Sequence, residues 1–121
     1  MVLLTYLLLV TTFASLVLTV LAFLGLFKKL PRNSWAGIRT SFTMKSDENW
    51  ELTHYYGAPF LIFAGMAASA AGMAFVPFAL ADKVGDSLLT GVIIAQGVVL
   101  VIGAIASWLY GTSRARKFAS A

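Results

Sequence analysis

Three long stretches of this 121-residue chain contain no charged residue and no histidine. They cover residues 2–27, 58–81 and 88–110. Each exceeds the ~20 residues that an α-helix needs to cross ~30 Å of hydrocarbon. The strands of a membrane barrel would alternate apolar and polar residues, and these stretches do not. We therefore expect an all-α membrane protein with three transmembrane helices.

The charges between these stretches divide the chain into spans and connections within one membrane domain. Pro31 prevents the first helix from continuing beyond Leu30. A secretory signal peptide is the alternative for the first stretch, but residues 1–6 carry no basic residue and the apolar run is too long for a signal core. The predicted divisions are helix 2–27, cytoplasmic loop 28–57, helix 58–81, outer turn 82–87, helix 88–110 and cytoplasmic tail 111–121.

The basic residues set the expected orientation. Of the nine Lys and Arg residues, all but Lys83 lie in the first loop or after the third stretch. Because basic residues are retained in the cytoplasm, we expect the N-terminus outside and the C-terminus inside a plasma membrane. The formal charge of +4 then indicates contact with anionic lipid headgroups and not with nucleic acid, since these residues flank membrane spans.

The end of the first loop has the chemistry of a helix start. Ser46 is suited to cap a helix, and Asp47 and Glu48 would lie in its first turn, where negative charge is favoured. Gly57 and Pro59 then indicate a break before the second span. We expect a short interfacial helix here, preceded by an irregular loop.

Few polar groups are candidates for chemistry. The spans hold no ionisable residue, which disfavours an autonomous pump or carrier, and Gln96 is expected to form a hydrogen bond between helices. The sequence also has no cysteine for a disulfide or a thiolate site. The first helix carries four hydroxyl residues that are expected to bond to their own helix, which are Thr11, Thr12, Ser15 and Thr19.

His54 is the one histidine, and it is weighed both as a general base or metal ligand and as a residue hydrogen-bonded within the loop. The second interpretation is favoured. Three acids lie near it, namely Asp47, Glu48 and Glu51, and three basic residues of the same loop are expected to neutralise them, namely Arg32, Arg39 and Lys45. We therefore expect a protein without enzymatic activity, cofactor or metal.

Small residues recur at helical spacing on the second and third helices. Such surfaces let another helix approach closely, either within this chain or in another membrane protein, and both uses remain open. The residues are Gly65, Ser69 and Gly72 on the second helix, and Gly103 and Ser107 on the third.

The loop segment PRNSWAGIRTSFTMKSDENWELTHYYG resembles the signature of the SdpI-type immunity proteins of bacteria. Ser41 and Phe42 stand where that signature usually has Pro-Trp. The signature loop defined here comprises Arg32 and the positions that match the family pattern, which are Asn33, Gly37, Ile38, Arg39, Thr40, Thr43, Ser46, Trp50, Thr53 and His54.

The resemblance implies a short, three-helix member of that family in the bacterial cytoplasmic membrane. Such a protein would act by contact with other proteins, conferring resistance to a secreted peptide toxin or receiving a signal and holding a cytoplasmic regulator at the membrane. The alternative is an accessory subunit of a larger membrane assembly, such as a respiratory complex.

The expected orientation is testable because the chain has no cysteine. A thiol introduced as Ser41→Cys should resist a membrane-impermeant maleimide in intact cells and react with it in inverted vesicles. The matched control, Ser87→Cys in the predicted outer turn, should show the opposite pattern. Labelling of the thiol at position 41 from outside intact cells would overturn the topology.

Overall fold

Residues 2–118, which the computed structural model describes, form three long helices. α1 spans Val2–Leu26, α2 spans Asp47–Leu80 and α3 spans Asp86–Phe118, and a short 3₁₀ turn, Thr43–Lys45, lies between α1 and α2. Each long helix is long and apolar enough to cross a membrane. The predicted all-α class and its three helices of membrane-spanning length are therefore confirmed.

Consecutive helices run antiparallel. Leu8, near the start of α1, packs in one cluster with Ala79 at the end of α2 and Leu89 near the start of α3. At the opposite end, Gly25 of α1 lies against His54 of α2. α1 and α3 consequently run parallel to each other, and α2 runs antiparallel to both.

The two ends of the bundle differ in their connections. We call the end that carries the α2–α3 connection, residues 81–85, the turn end. The end that carries the α1–α2 connection, residues 27–46, is called the loop end. The long connection and the C-terminal part of α3 both lie at the loop end, so most of the polar residues gather there.

The helices expose apolar surface along their lengths. Only 22%, 28% and 17% of the most apolar windows of α1, α2 and α3 are buried within the chain. Large side chains such as Phe13, Phe63 and Ile102 are more than half exposed. Water would penalise a surface of this kind, whereas the hydrocarbon of a bilayer solvates it.

α2 corrects the prediction of a separate interfacial helix. It runs without interruption from Asp47 through Gly57 and Pro59, so the predicted helix is the first part of α2. Gly57 has no positive φ; a Cβ there would meet the backbone carbonyl of Ser107. Its role is close packing with α3, and a membrane helix tolerates the backbone bond lost at a proline.

α3 also extends further than predicted, because residues 111–118 of the expected tail are helical. Gly111 lies against the backbone of Thr53 on α2. The Tyr56 and Phe118 rings stack with centroids 5.6 Å apart. These contacts with the start of α2 explain why the helix continues, while residues 119–121 lie outside the described part of the chain.

α1 ends at Leu26, five residues before Pro31, so the proline is not what terminates the helix. Lys28 adopts a left-handed conformation with φ 60°. The N–H of Lys29 donates to the Leu24 carbonyl at 2.7 Å, and the N–H of Lys28 donates to the Gly25 carbonyl at 3.2 Å. This is a Schellman motif, which satisfies the last carbonyls of a helix.

Gln96 links all three helices at the centre of the bundle, as predicted for an interhelical hydrogen bond. Only 1% of it is exposed. Its Oε1 accepts from Thr11 Oγ1 at 2.6 Å, and its Nε2 donates to Thr12 Oγ1 at 3.1 Å and to the Ala68 carbonyl at 3.0 Å. The Thr11 hydroxyl also donates to the Leu8 carbonyl of its own helix at 3.1 Å, as expected, but both threonines bond to Gln96 of α3 as well.

The small residues predicted to allow close helix approach lie inside this bundle. A Cβ on Gly65 would collide with Thr19 of α1, and one on Gly103 would collide with Ala64 of α2. Ser69 and Ser107 are buried to 4% and 3% exposure. These four positions, with Gly72 as the fifth, therefore pack helices of the same chain.

Gly72→Ala should destabilise the bundle by about 1–3 kcal/mol, because its methyl group would overlap Thr12 Oγ1 and crowd Gln96 Nε2. The matched control is Gly97→Ala, since nothing lies within 4 Å of a Cβ at Gly97. That control should leave stability unchanged or raise it by up to about 1 kcal/mol through helix propensity. Reversible unfolding in detergent mixtures measures both, and equal losses would refute the packing.

Candidate functional site

The signature loop begins with a turn built by Asn33. Its Oδ1 accepts from the backbone N–H groups of Trp35 and Ala36 at 2.9 and 2.6 Å. Its Nδ2 donates to the Pro31 carbonyl at 2.8 Å. The Asn33 side chain thus supplies hydrogen bonds to three backbone groups that the irregular loop would otherwise leave unpaired, in the manner of an Asx turn.

Trp50 anchors the loop to the first part of α2. Its side chain is 2% exposed, and its Nε1–H donates to the Leu30 carbonyl at 2.7 Å across 20 residues of chain. The indole ring also contacts the His54 ring, one turn later on α2, with centroids 4.3 Å apart. Trp50 therefore joins the start of the loop to the helix that follows it.

His54 holds the middle of the loop through both ring nitrogens. Nε2 lies 2.8 Å from the N–H of Ile38, which can only donate, so Nε2 is the acceptor. Nδ1 then carries the proton and donates to the Trp50 carbonyl at 2.7 Å. The residue is 8% exposed. This arrangement requires a neutral imidazole of one tautomer.

Burial lowers the pKa of His54 below its ordinary value of 6.5, and the hydrogen bond to the Trp50 carbonyl opposes this shift. His54 precedes the uncharged stretch 58–81 and lies in the polar first part of α2, at the loop end. Protonation would place a proton on Nε2, facing the N–H of Ile38, and would remove the acceptor that holds the loop.

Gly37 lets the loop backbone pass close to the rings of Trp50 and His54. It has φ +107°, a conformation that side chains disfavour, and it is the one positive-φ glycine among residues 2–118. A Cβ at this position would lie 2.7 Å from His54 Nε2 and 2.9 Å from the Trp50 ring. Both the backbone angle and the space therefore require glycine.

Thr43 closes the second half of the loop. Its hydroxyl is fully buried; it donates to the Ile38 carbonyl at 2.7 Å and accepts from the Thr40 N–H at 2.8 Å. The Thr40 hydroxyl in turn accepts from the Thr43 N–H at 3.2 Å. Two threonines and Ile38 thereby form a compact hydrogen-bonded turn.

At its end the loop leads into α2, and Ser46 is the N-cap residue of this helix, as predicted. Its hydroxyl accepts from the Asn49 N–H at 3.0 Å, and the side chain of Asn49 donates to the Phe42 carbonyl at 2.9 Å. Asn49 was missed by sequence reasoning. Its position in the first turn of a helix that follows a loop could have indicated a hydrogen bond back to the loop backbone.

Ion pairs also join the loop to α2, but they are exposed. Arg32 pairs with Asp47 at 3.2 Å, with the carboxylate side chain 86% exposed, and Lys28 pairs with Glu51 at 3.8 Å. Exposed pairs contribute at most about 1 kcal/mol. The buried hydrogen bonds of Trp50 and His54 therefore account for more of the stability of the loop than the predicted charges do.

Arg39 bonds within the loop, where its Nη1 donates to the Ser34 carbonyl. Arg116 of α3 lies over the Phe42 ring at 4.4 Å, a cation–π contact that ties the loop to the third helix. Sequence reasoning missed this contact, since no sequence pattern relates positions 42 and 116.

Thr53 is the signature residue that the structure places apart from the loop network. It is fully buried, and its backbone packs against Gly111 of α3. The other signature residues, from Arg32 to His54, converge on one structured cap over the loop end of the bundle. The helix-packing residues predicted from spacing, Gly65 to Ser107, lie deeper in the bundle.

A cavity of about 160 Å³ lies beneath this cap. His54 and Ser107 contribute polar groups to a wall that is otherwise apolar. α1, α2, α3 and the loop all contribute, through Leu18, Leu21, Ala22, Gly25, Leu30, Gly37, Ile38, His54, Ala58, Leu61, Ala104 and Ser107.

These features define a multi-pass membrane protein of three helices whose first connection forms a structured cap. The family model of the SdpI/YfhL protein family matches residues 29–111. The match covers more than half of the chain, including the cap and α2, and the protein belongs to this family. No curated protein and no solved structure matches the chain.

The geometry of His54 predicts a pH dependence of the cap. We call the cap closed when His54 accepts from the Ile38 N–H, and released when this bond is broken. Since the pKa of His54 is lowered in the closed cap, His54 binds a proton more readily in the released cap, below pH 6.5. The stability of the closed cap is therefore complete above pH 6.5 and falls as the pH decreases below it. In a Trp35→Phe, Trp108→Phe background, Trp50 emission should shift to longer wavelength over this range.

His54→Phe is the control for this measurement, because it removes the titrating group and keeps a ring beside Trp50. Its emission should be independent of pH over the same range. An emission maximum that shifts with pH in His54→Phe as much as in the protein that retains His54 would contradict the assignment of the pH dependence to His54.

Proposed function

We propose that this protein acts without catalysis, by contact with a peptide toxin or another protein at the membrane, as an SdpI-type immunity or signal-reception protein. In this proposal the loop end faces the cytoplasm of a bacterial cell, with the N-terminus outside. The excess of basic residues at the loop end supports that orientation.

The observation that carries the proposal is the division of the cap into two faces. Asn33, Thr43, Trp50 and His54 make their bonds inward and hold the backbone in one shape. A loop built in this way is organised before any partner arrives. Binding then requires little ordering of the loop, which favours recognition.

The outward face displays residues suited to protein contact. Trp35 is 78% exposed, and the nearby Arg39 is exposed with one donor bonded to the Ser34 carbonyl. Arginine has five N–H donors, so others remain for a partner carboxylate or carbonyl. Tryptophan and arginine are the residue types that most often dominate binding energy at interfaces.

The chemistry of the cap supports a role in contact more than one in catalysis. Both nitrogens of His54 are engaged with backbone groups, which leaves the residue poorly placed as a general base. Asp47 and Glu51 form ion pairs with Arg32 and Lys28. The cap residues thus serve structure, and the exposed face is where a partner would bind.

One observation favours the alternative, an accessory subunit of a larger membrane complex. Gly91 and Ala95 lie one turn apart on the exposed surface of α3, and nothing lies within 4 Å of a Cβ at Gly91. Another helix could approach there. The five small-residue positions named from the sequence are already used within the chain.

Deleting the gene and challenging the cells with toxin-producing neighbours tests the proposal. We expect survival to fall, or the response of transcription to the toxin to disappear, and the intact gene to restore it. Trp35→Ala with Arg39→Ala should fail to restore it at equal membrane abundance, because both outward contacts are lost. Trp108→Ala is the matched control, since it removes an exposed tryptophan from α3 at the same end.

Unchanged survival and unchanged transcription in the deletion strain would refute the proposal. Extraction of the same strains in a mild detergent separates it from the alternative. A large complex that survives extraction and depends on Gly91, but not on Trp35, would support the accessory-subunit function instead.

A further inference from the structure

We propose that the cavity beneath the cap binds one acyl chain of an anionic phospholipid from the leaflet at the loop end. The proposal goes beyond contact with a protein partner and does not depend on it. It rests on the size, the walls, the opening and the charge of the cavity.

The size and lining of the cavity fit a hydrocarbon chain. An apolar cavity of ~150 Å³ accommodates a benzene molecule, and this one measures about 160 Å³. Leu18, Leu21 and Leu61 form much of its wall. An apolar chain would not compete for the His54 nitrogens, because both are already bonded to backbone groups.

The residues that line the cavity indicate a lateral opening between two helices, on the surface that a bilayer would cover. Its back wall is α2, its roof is the loop at Leu30 and Ile38, and its sides are α1 and α3. Among the three long helices, α1 and α3 share the least contact, and we infer that the open side of the cavity lies between them. Ala104, a small residue on this side, is exposed.

The depth of the cavity matches the upper part of an acyl chain. Gly25 lies one residue before the end of α1, and Leu18 lies seven residues earlier. At 1.5 Å per residue the lining extends over roughly 10 Å into the hydrocarbon from the loop end. The occupant is therefore a chain whose headgroup remains at the level of the loop.

The charge at the loop end selects an anionic headgroup. Eight basic residues lie in the first connection and the last turns of α3, against three acidic residues at the start of α2. Lys29 and Arg39 directly adjoin Leu30 and Ile38, which line the cavity. A phosphate at this level would meet positive potential, and headgroup attraction of this kind is favourable.

Photo-crosslinking of the full chain in nanodiscs tests the proposal. The probe is a phosphatidylglycerol with a diazirine in the upper half of one acyl chain, and labelled residues are located by mass spectrometry. We expect residues 18–25 and 104–107 to be labelled at least fivefold more than the exposed apolar residues Phe13 and Ile94. A phosphatidylcholine carrying the same diazirine should label the cavity several-fold less.

Ala104→Phe should fill the cavity and reduce its labelling at least fivefold, and Ala104→Leu should do so in part. Ala95→Phe, at another exposed alanine of α3, should leave the labelling unchanged. Circular dichroism, with Trp50 emission in the Trp35→Phe, Trp108→Phe background, verifies that each variant folds. Even labelling of all lipid-facing residues, or full labelling of folded Ala104→Phe, would overturn the proposal.

Discussion

Close approach of α2 to both of its neighbours is the constraint on which the rest of this structure depends. Glycines at the contact points allow it, at Gly65 and Gly72 towards α1 and at Gly57 towards α3. Hydrocarbon offers no hydrophobic force between helices, so tight packing and interhelical hydrogen bonds must hold the bundle. The three-way bonding of Gln96 is possible only at this separation.

The cap depends on the same packing. Gly25 at the end of α1 lies against the side chain of His54, which sets the position of the ring that receives the Ile38 N–H. Trp50 then reaches back to the Leu30 carbonyl. The loop is thus ordered by the bundle beneath it, through buried hydrogen bonds, while its exposed ion pairs contribute less.

Several features were predictable because they depend on residues near one another in sequence. The three spans follow from the absence of charge over long runs, and the Ser46 cap follows from local helix-start chemistry. The role of Gln96 was predictable as well, since a buried amide in hydrocarbon needs partners. The loop signature identified the family, which the match over residues 29–111 shows.

Other features could not be predicted because they depend on contacts between residues that are far apart in the sequence. Gly57 and Pro59 resembled a helix break, yet Gly57 packs against α3 and the helix continues. The end of α3 seemed to belong to a polar tail, yet Gly111 and Phe118 have partners on α2. Local propensity was outweighed by tertiary contact in both cases.

The sequence by itself determined that this chain has three apolar helices and a polar connection between the first two, because hydrocarbon tolerates no charge and no unpaired backbone over such lengths. Only the tertiary structure decided which nitrogen of His54 accepts, why Gly37 must be glycine, and that a cavity lies under the cap. Those properties depend on distances between distant segments, which residue order does not contain.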